Sequence, residues 1–135
     1  MPNVRPLNEN KYHLSKDRYD ELRARCYQYR EWKKELAYLT DTVKAIQYGV
    51  EGKGSPPQGS ATEQLVIRRM ELEEKIKIVE QTAIETDSEN YKWILKGVTQ
   101  KKKIGELEIE GMPLSRSLYY EKKRLFYANL DKRMY

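Results

Sequence analysis

The sequence predicts an all-α protein: a long antiparallel helical hairpin over residues 15–86, then a C-terminal helix-turn-helix three-helix unit over 87–135. Three observations predict it. Apolar residues recur at steps of three and four through two long stretches that contain neither Pro nor Gly. Four of the seven glycines and two of the five prolines are gathered between those stretches, in residues 49–60. Beyond the second stretch, helix stop and start signals follow each other closely.

Residues 1–14, with Pro2, Pro6 and several Asn, read as a flexible N-terminal arm. From Lys16 to about Tyr48 the apolar positions are Tyr19, Leu22, Cys26, Tyr29, Trp32, Leu36, Leu39, Val43 and Ile46, one stripe along a continuous helix about 50 Å long at 1.5 Å per residue. The connection 49–60 contains Gly-Lys-Gly-Ser. Its glycines are wrongly spaced for a phosphate loop and no strand precedes it, so it reads as a linker.

A second helix over about 62–85 carries Leu65, Leu72, Ile76, Val79 and Ala83 on one face. Two amphipathic helices joined by a short connection bury their stripes most simply against each other. So thin a hairpin has little core, and a homodimer is expected.

Asp87 and Ser88 are capping residues for a third helix that places Tyr91, Ile94, Leu95 and Val98 on a face. Residues 101–111 are ambiguous, because Ile104 and Leu107 suit a helix while Leu107-Glu108-Ile109-Glu110 alternates as a short strand would; a short helix is the preferred reading. Gly111 then ends it, Pro113 prevents its continuation, and Ser115 or Ser117 caps the final helix. On that helix Tyr119, Phe126 or Tyr127, and Leu130 face the core. Arg116, Ser117, Tyr120, Lys122, Lys123 and Arg124 are left largely outside.

Composition bounds the function. Charged residues make up 35% of the chain and hydrophobic ones 39%, and there are 11 Tyr against one Phe, which suits contact-making helix surfaces better than a deep enzyme fold. Cys26 is the single cysteine and His13 the single histidine, so no internal disulfide and no metal-ligand set is expected. The acidic residues alternate with basic ones as solvated helix partners do, and singling out a catalytic pair would be arbitrary. The reading is therefore a non-enzyme, without cofactor or small-molecule substrate. No apolar run approaches the roughly 20 residues of a membrane span, so a cytoplasmic protein is expected.

The net charge of +5 is unevenly placed, since residues 88–135 hold 11 basic and 6 acidic residues while the remainder of the chain is balanced. Such asymmetry suits a polyanion-facing C-terminal part. A first helical turn with Arg116, Ser117 and Tyr120 is equipped for a major groove, Arg to bridge guanine O6 and N7, the hydroxyls for phosphate or base edges. Ser115, Lys122, Lys123 and Arg124, with Lys101, Lys102 and Lys103 upstream, would add contacts to the backbone of double-stranded DNA.

The order of "YDELRARCYQY", a Gly/Pro/Ser linker, "ATEQLVIRRMELEEKIKIVEQ", "YKWILKGVT" and "MPLSRSLYYEKKRLFYANLDKR" resembles phage and prophage regulators of the ArpU and RinA type, over about residues 16–133. The match is most specific at Ser115-Arg116, Tyr119-Tyr120, Arg124, Phe126-Tyr127 and Leu130-Asp131-Lys132-Arg133. The resemblance implies a late-gene transcriptional regulator in a bacterial host cell, whose C-terminal part is similar to the last DNA-reading region of sigma factors; RNA polymerase is then an open further partner. One departure stands upstream, where Glu106, Glu108 and Glu110 bring negative charge close to a surface meant for phosphates. The alternatives are a helical adaptor or structural phage protein that binds another protein, and a DNA-packaging factor resembling a terminase small subunit.

Overall fold

A computed structural model describes residues 12–47 and 60–135. These form six helices: α1 (Lys16–Tyr27), α2 (Tyr29–Gln47), α3 (Ser60–Thr86), α4 (Tyr91–Thr99), α5 (Ile104–Ile109) and α6 (Arg116–Met134). No strand occurs among the described residues, and the all-α class stands. The arm up to residue 11 and the linker up to residue 59, with its Gly-Lys-Gly-Ser, lie outside them. Residues 12–14 are held: Leu14 is buried, and the Tyr12 hydroxyl donates to Glu121 at 3.2 Å.

The ambiguous segment resolves as α5. Leu107 is fully buried whereas Ile109 is 87% exposed, and a strand would have put both on one face. The single long first helix is a correction: Gln28 interrupts it, its backbone N–H turning back to Arg25 and Cys26 carbonyls. Neither Gly nor Pro marks the break, yet the expected stripe is kept on both sides, with Leu22, Cys26, Tyr29, Trp32, Leu39 and Val43 all buried.

The chain divides into two compact units, one of residues up to 29 together with 78–135, the other of residues 30–77. The boundary expected at 86/87 thus falls inside the first unit, because α1 packs on α4 and α6 rather than belonging to the hairpin alone. α6 and α5 each pack on α4 as well. Leu22, Cys26, Ile94, Val98, Phe126 and Leu130 have no exposed surface, and each large apolar side chain so buried contributes about 1.5–3 kcal/mol. The end of α3 is tied in by Asn129, whose amide donates to the Thr86 hydroxyl at 3.1 Å, and by the Arg133–Glu85 pair at 3.0 Å.

Gly97 lies inside a nine-residue helix, where glycine is a weak helix former. Close approach explains it. A Cβ at that position would stand 1.8 Å from the Tyr119 hydroxyl oxygen. Asp87 organises the start of α4, accepting from the backbone N–H groups of Glu89 and Asn90, both at 3.1 Å. Burial alone would push its carboxyl up. The Asn90 and Glu89 N–H groups, the Asn90 side chain and Lys122 outweigh that and hold it below 3.8.

In the second unit the arms of α2 and α3 run antiparallel and bury Trp32, Leu39, Val43, Leu72 and Ile76. The Arg68 guanidinium forks onto Glu35 at 2.8 and 2.9 Å, and Lys75 lies over the Trp32 ring at 5.6 Å. Other large apolar side chains stay wet: Tyr38, Ile67 and Met70 are all more than half exposed.

Candidate functional site

The turn between α5 and α6 is built by local chemistry. Gly111 has φ of +107°, a conformation open to glycine at little cost. Around it the Met112 N–H reaches the Leu107 carbonyl and the Gly111 N–H the Glu108 carbonyl, each at 3.0 Å. That is the paired closure with which a left-handed residue ends a helix, and its accompanying apolar contact is here Met112 on Leu107. Leu107, Met112, Leu114 and Tyr119 form a small core, with Trp93, Ile104 and Tyr120 packed on it. Three residues after Met112, the Ser115 hydroxyl accepts from the Leu118 N–H at 3.2 Å and caps α6.

The first turn of α6 is therefore rigidly presented. Arg116 and Ser117 are exposed, as the sequence predicts. Four other expected outward residues are not fully outside, and this is a correction. Tyr120 packs on the small core and edge to face on Tyr119 at 5.5 Å. Lys122 approaches Asp87 at 3.7 Å, and Arg124 pairs with Glu121 at 3.0 Å. Lys123 lies 5.9 Å from the centre of the Tyr119 ring, and burial, then the nearby Arg23 charge, lowers its ammonium pKa. The reason is the girth of cover: α6 is flanked by both α1 and α4, so its polar residues beyond the first turn share the interior edge.

Glu108 of α5 and Glu110 just after it pair with cations around the turn. Arg116 forks onto Glu108, Nε to Oε2 at 3.0 Å and a terminal nitrogen to Oε1 at 2.7 Å. Glu110 holds two lysines, Lys96 at 2.6 Å and Lys102. Both carboxylates are consequently held below their ordinary range, Glu108 by Arg116 and Glu110 by Lys102 and then Lys96. Glu106 turns back to accept from the Lys103 backbone N–H at 2.8 Å, leaving the Lys103 side chain exposed.

Lys101 is held differently. It is a non-glycine residue with φ of 57°, following the last turn of α4, and its ammonium lies over the Tyr27 ring at 4.8 Å. The candidate residues all lie in one unit, but as three groups: an exposed first turn (Ser115, Arg116, Ser117), a lysine edge (Lys101 over a ring, Lys102 on Glu110, and Lys103 with an exposed side chain), and a half-buried row (Tyr120, Lys122, Lys123, Arg124). Lys96 is a member that sequence reasoning missed. Its spacing from Glu110, fourteen residues across a turn, offered no local signal.

No protein-family model, no curated protein and no solved structure matches this chain.

Proposed function

We propose that the chain is a transcriptional regulator of the phage type that binds double-stranded DNA through the exposed first turn of α6. The observation that carries this reading is the Arg116 fork. It stands at a capped helix start, is 61% exposed in its side chain, and already engages a planar two-oxygen acceptor, Glu108, side-on. A guanine edge or a phosphate offers the same two-acceptor geometry. Ser117 shares the turn, and the cation excess of residues 88–135 supplies the backbone attraction. Binding exchanges one partner of Arg116 for another, so Glu108 sets the threshold for DNA.

The exposed Ile67 and Met70, on the side of α3 opposite its buried Leu72 and Ile76, suit a homodimer that would pair two readers. RNA polymerase contact and a bacterial cytoplasmic setting belong to the same reading. A fluorescence anisotropy titration with duplex DNA at several salt concentrations tests it. Arg116→Ala is expected to lose sequence preference, Lys122→Ala to weaken all duplexes alike with a flatter salt dependence, and Glu108→Gln to tighten binding. Absence of binding at low salt refutes the reading.

A second reading rests on Ile109, 87% exposed beside Glu108, with Leu118 42% exposed on the first turn of α6. Apolar side chains flanking an ion pair suit a protein partner, as in a helical adaptor, and loss of a nuclease-resistant partner in Ile109→Glu would favour it.

A further inference from the structure

α3 carries two stripes. Leu72, Ile76, Val79 and Ala83 are buried along one side. Along another, Glu63, Ile67, Met70, Glu74 and Lys77 follow at steps of four and three, and all five are exposed, so this line has the spacing of a helix-on-helix seam without a neighbour among the described residues. It lies wholly in the second unit. At its centre Ile67 is 55% and Met70 61% exposed, along a shallow open groove that Glu71, Glu74 and Lys75 complete.

Charge decides what covers it. Most other charges on this stretch of α3 are settled within the chain: Arg68 pairs with Glu35 at 2.8 Å and with Glu71 at 3.5 Å, Arg69 with Glu73 at 4.0 Å, and Lys75 lies over the Trp32 ring at 5.6 Å. Glu63, Glu74 and Lys77, the three charges of the second stripe, have no ion-pair partner among the described residues. Glu63 and Lys77 stand seven residues to either side of Met70, about 10 Å along the helix in each direction. The stripe is therefore complementary to its own reverse. A second α3 laid antiparallel on the first, with a two-fold axis at Met70, sets Met70 on Met70 and each Glu63 against the partner subunit's Lys77. Glu74 then falls level with the partner subunit's Ile67 and meets no carboxylate. Laid parallel and in register, the same stripe would put Glu63 on Glu63, Glu74 on Glu74 and Lys77 on Lys77. An axis between Ile67 and Met70 would oppose Glu63 to Glu74. Like charges so placed repel, which leaves the antiparallel pair about Met70.

We propose that α3 is a self-docking helix: two copies of the chain pair through the stripe from Glu63 to Lys77, antiparallel, about a two-fold axis at Met70. This rests on the homodimer reading above and gives it a direction and a register. With two apolar residues per copy the interface is at the small end, so the association is reversible and concentration-dependent.

Cysteine crosslinking of the full chain tests it, the native Cys26 being fully buried. Under mild oxidation Met70→Cys is expected to give a covalent dimer, since the axis brings the two Cβ atoms into disulfide range. Glu63→Cys alone and Lys77→Cys alone should not, the two copies of each lying roughly 20 Å apart, whereas an equal mixture of the two variants should. Sedimentation supplies the second measurement. Glu63→Lys and Lys77→Glu should each weaken self-association about tenfold at low salt, and the chain with both exchanges should recover most of it. Self-crosslinking of Glu63→Cys as fast as that of Met70→Cys means a parallel pair and overturns the proposal. A dimer that forms without crosslinking at 70 and ignores both charge exchanges overturns this register and leaves the homodimer reading standing; a monomer at every concentration overturns both.

Discussion

The two compact units use the same sequence code with different results. In residues 30–77 two helices share one seam, and what lies off that seam stays wet, including Tyr38, Ile67 and Met70. In the unit built from α1, the end of α3 and α4 to α6, each main helix has several neighbours. There even the polar side of α6 is drawn half inside. The difference teaches that burial in this protein follows the number of flanking helices more than the apolar stripe. Lys122 and Lys123 are half-buried in the first unit, whereas Lys34, Lys44 and Lys77 in the second are exposed.

The strongest way to break the contrast is at Gly97. An alanine there drives a methyl group into the Tyr119 hydroxyl, and overpacking of this kind costs about 1–3 kcal/mol. Denaturant unfolding should show that loss for Gly97→Ala and a clearly smaller one for Gly97→Ala with Tyr119→Phe, which removes the oxygen at 1.8 Å. Equal losses would mean that the approach is not what selects glycine.

A smaller effect is expected at Asp87, whose bonds to the Glu89 and Asn90 N–H groups hold the start of α4. Asp87→Ala should cost about 1 kcal/mol at neutral pH. Its folded pKa is depressed, so its stabilisation is present above the unfolded value of 3.8 and disappears as pH falls through the lowered folded value. Melting temperatures of the two proteins should therefore converge in acid. A constant gap down to the lowest pH would assign the residue a different role.

The least effect on folding belongs to the second unit. Ile67→Glu with Met70→Glu changes exposed positions and should shift stability by no more than about 0.5 kcal/mol. Sedimentation should nevertheless register it as a loss of self-association, if this is the face through which two copies meet. An unchanged association state would separate the dimer reading from these residues.

Much of the fold was legible because its signals are local. The stripe from Leu22 through Val43, the cap at Ser115 and the glycine stop at Gly111 each depend on residues within one or two helical turns, and each stands as read. The interruption at Gln28 and the demand for glycine at 97 were not legible. One carries no breaking residue, and the other is set by a tyrosine 22 positions away in sequence. Of the candidate site, the exposure of Arg116 and Ser117 is legible in the sequence, whereas the half-burial of Tyr120, Lys122, Lys123 and Arg124 is not, since it is set by neighbouring helices distant in sequence.

By itself, then, the sequence determined the helical class, the cap at Ser115, the stop at Gly111 and the apolar side of the main helices, since backbone capping and helical period act over a few residues. Only the tertiary structure decided which cations meet which carboxylates, Glu108 with Arg116 and Glu110 with Lys96 and Lys102, and that Lys123 is drawn half inside beside the Tyr119 ring. Charge pairing depends on separation in space, and that is set by how many helices crowd around each one.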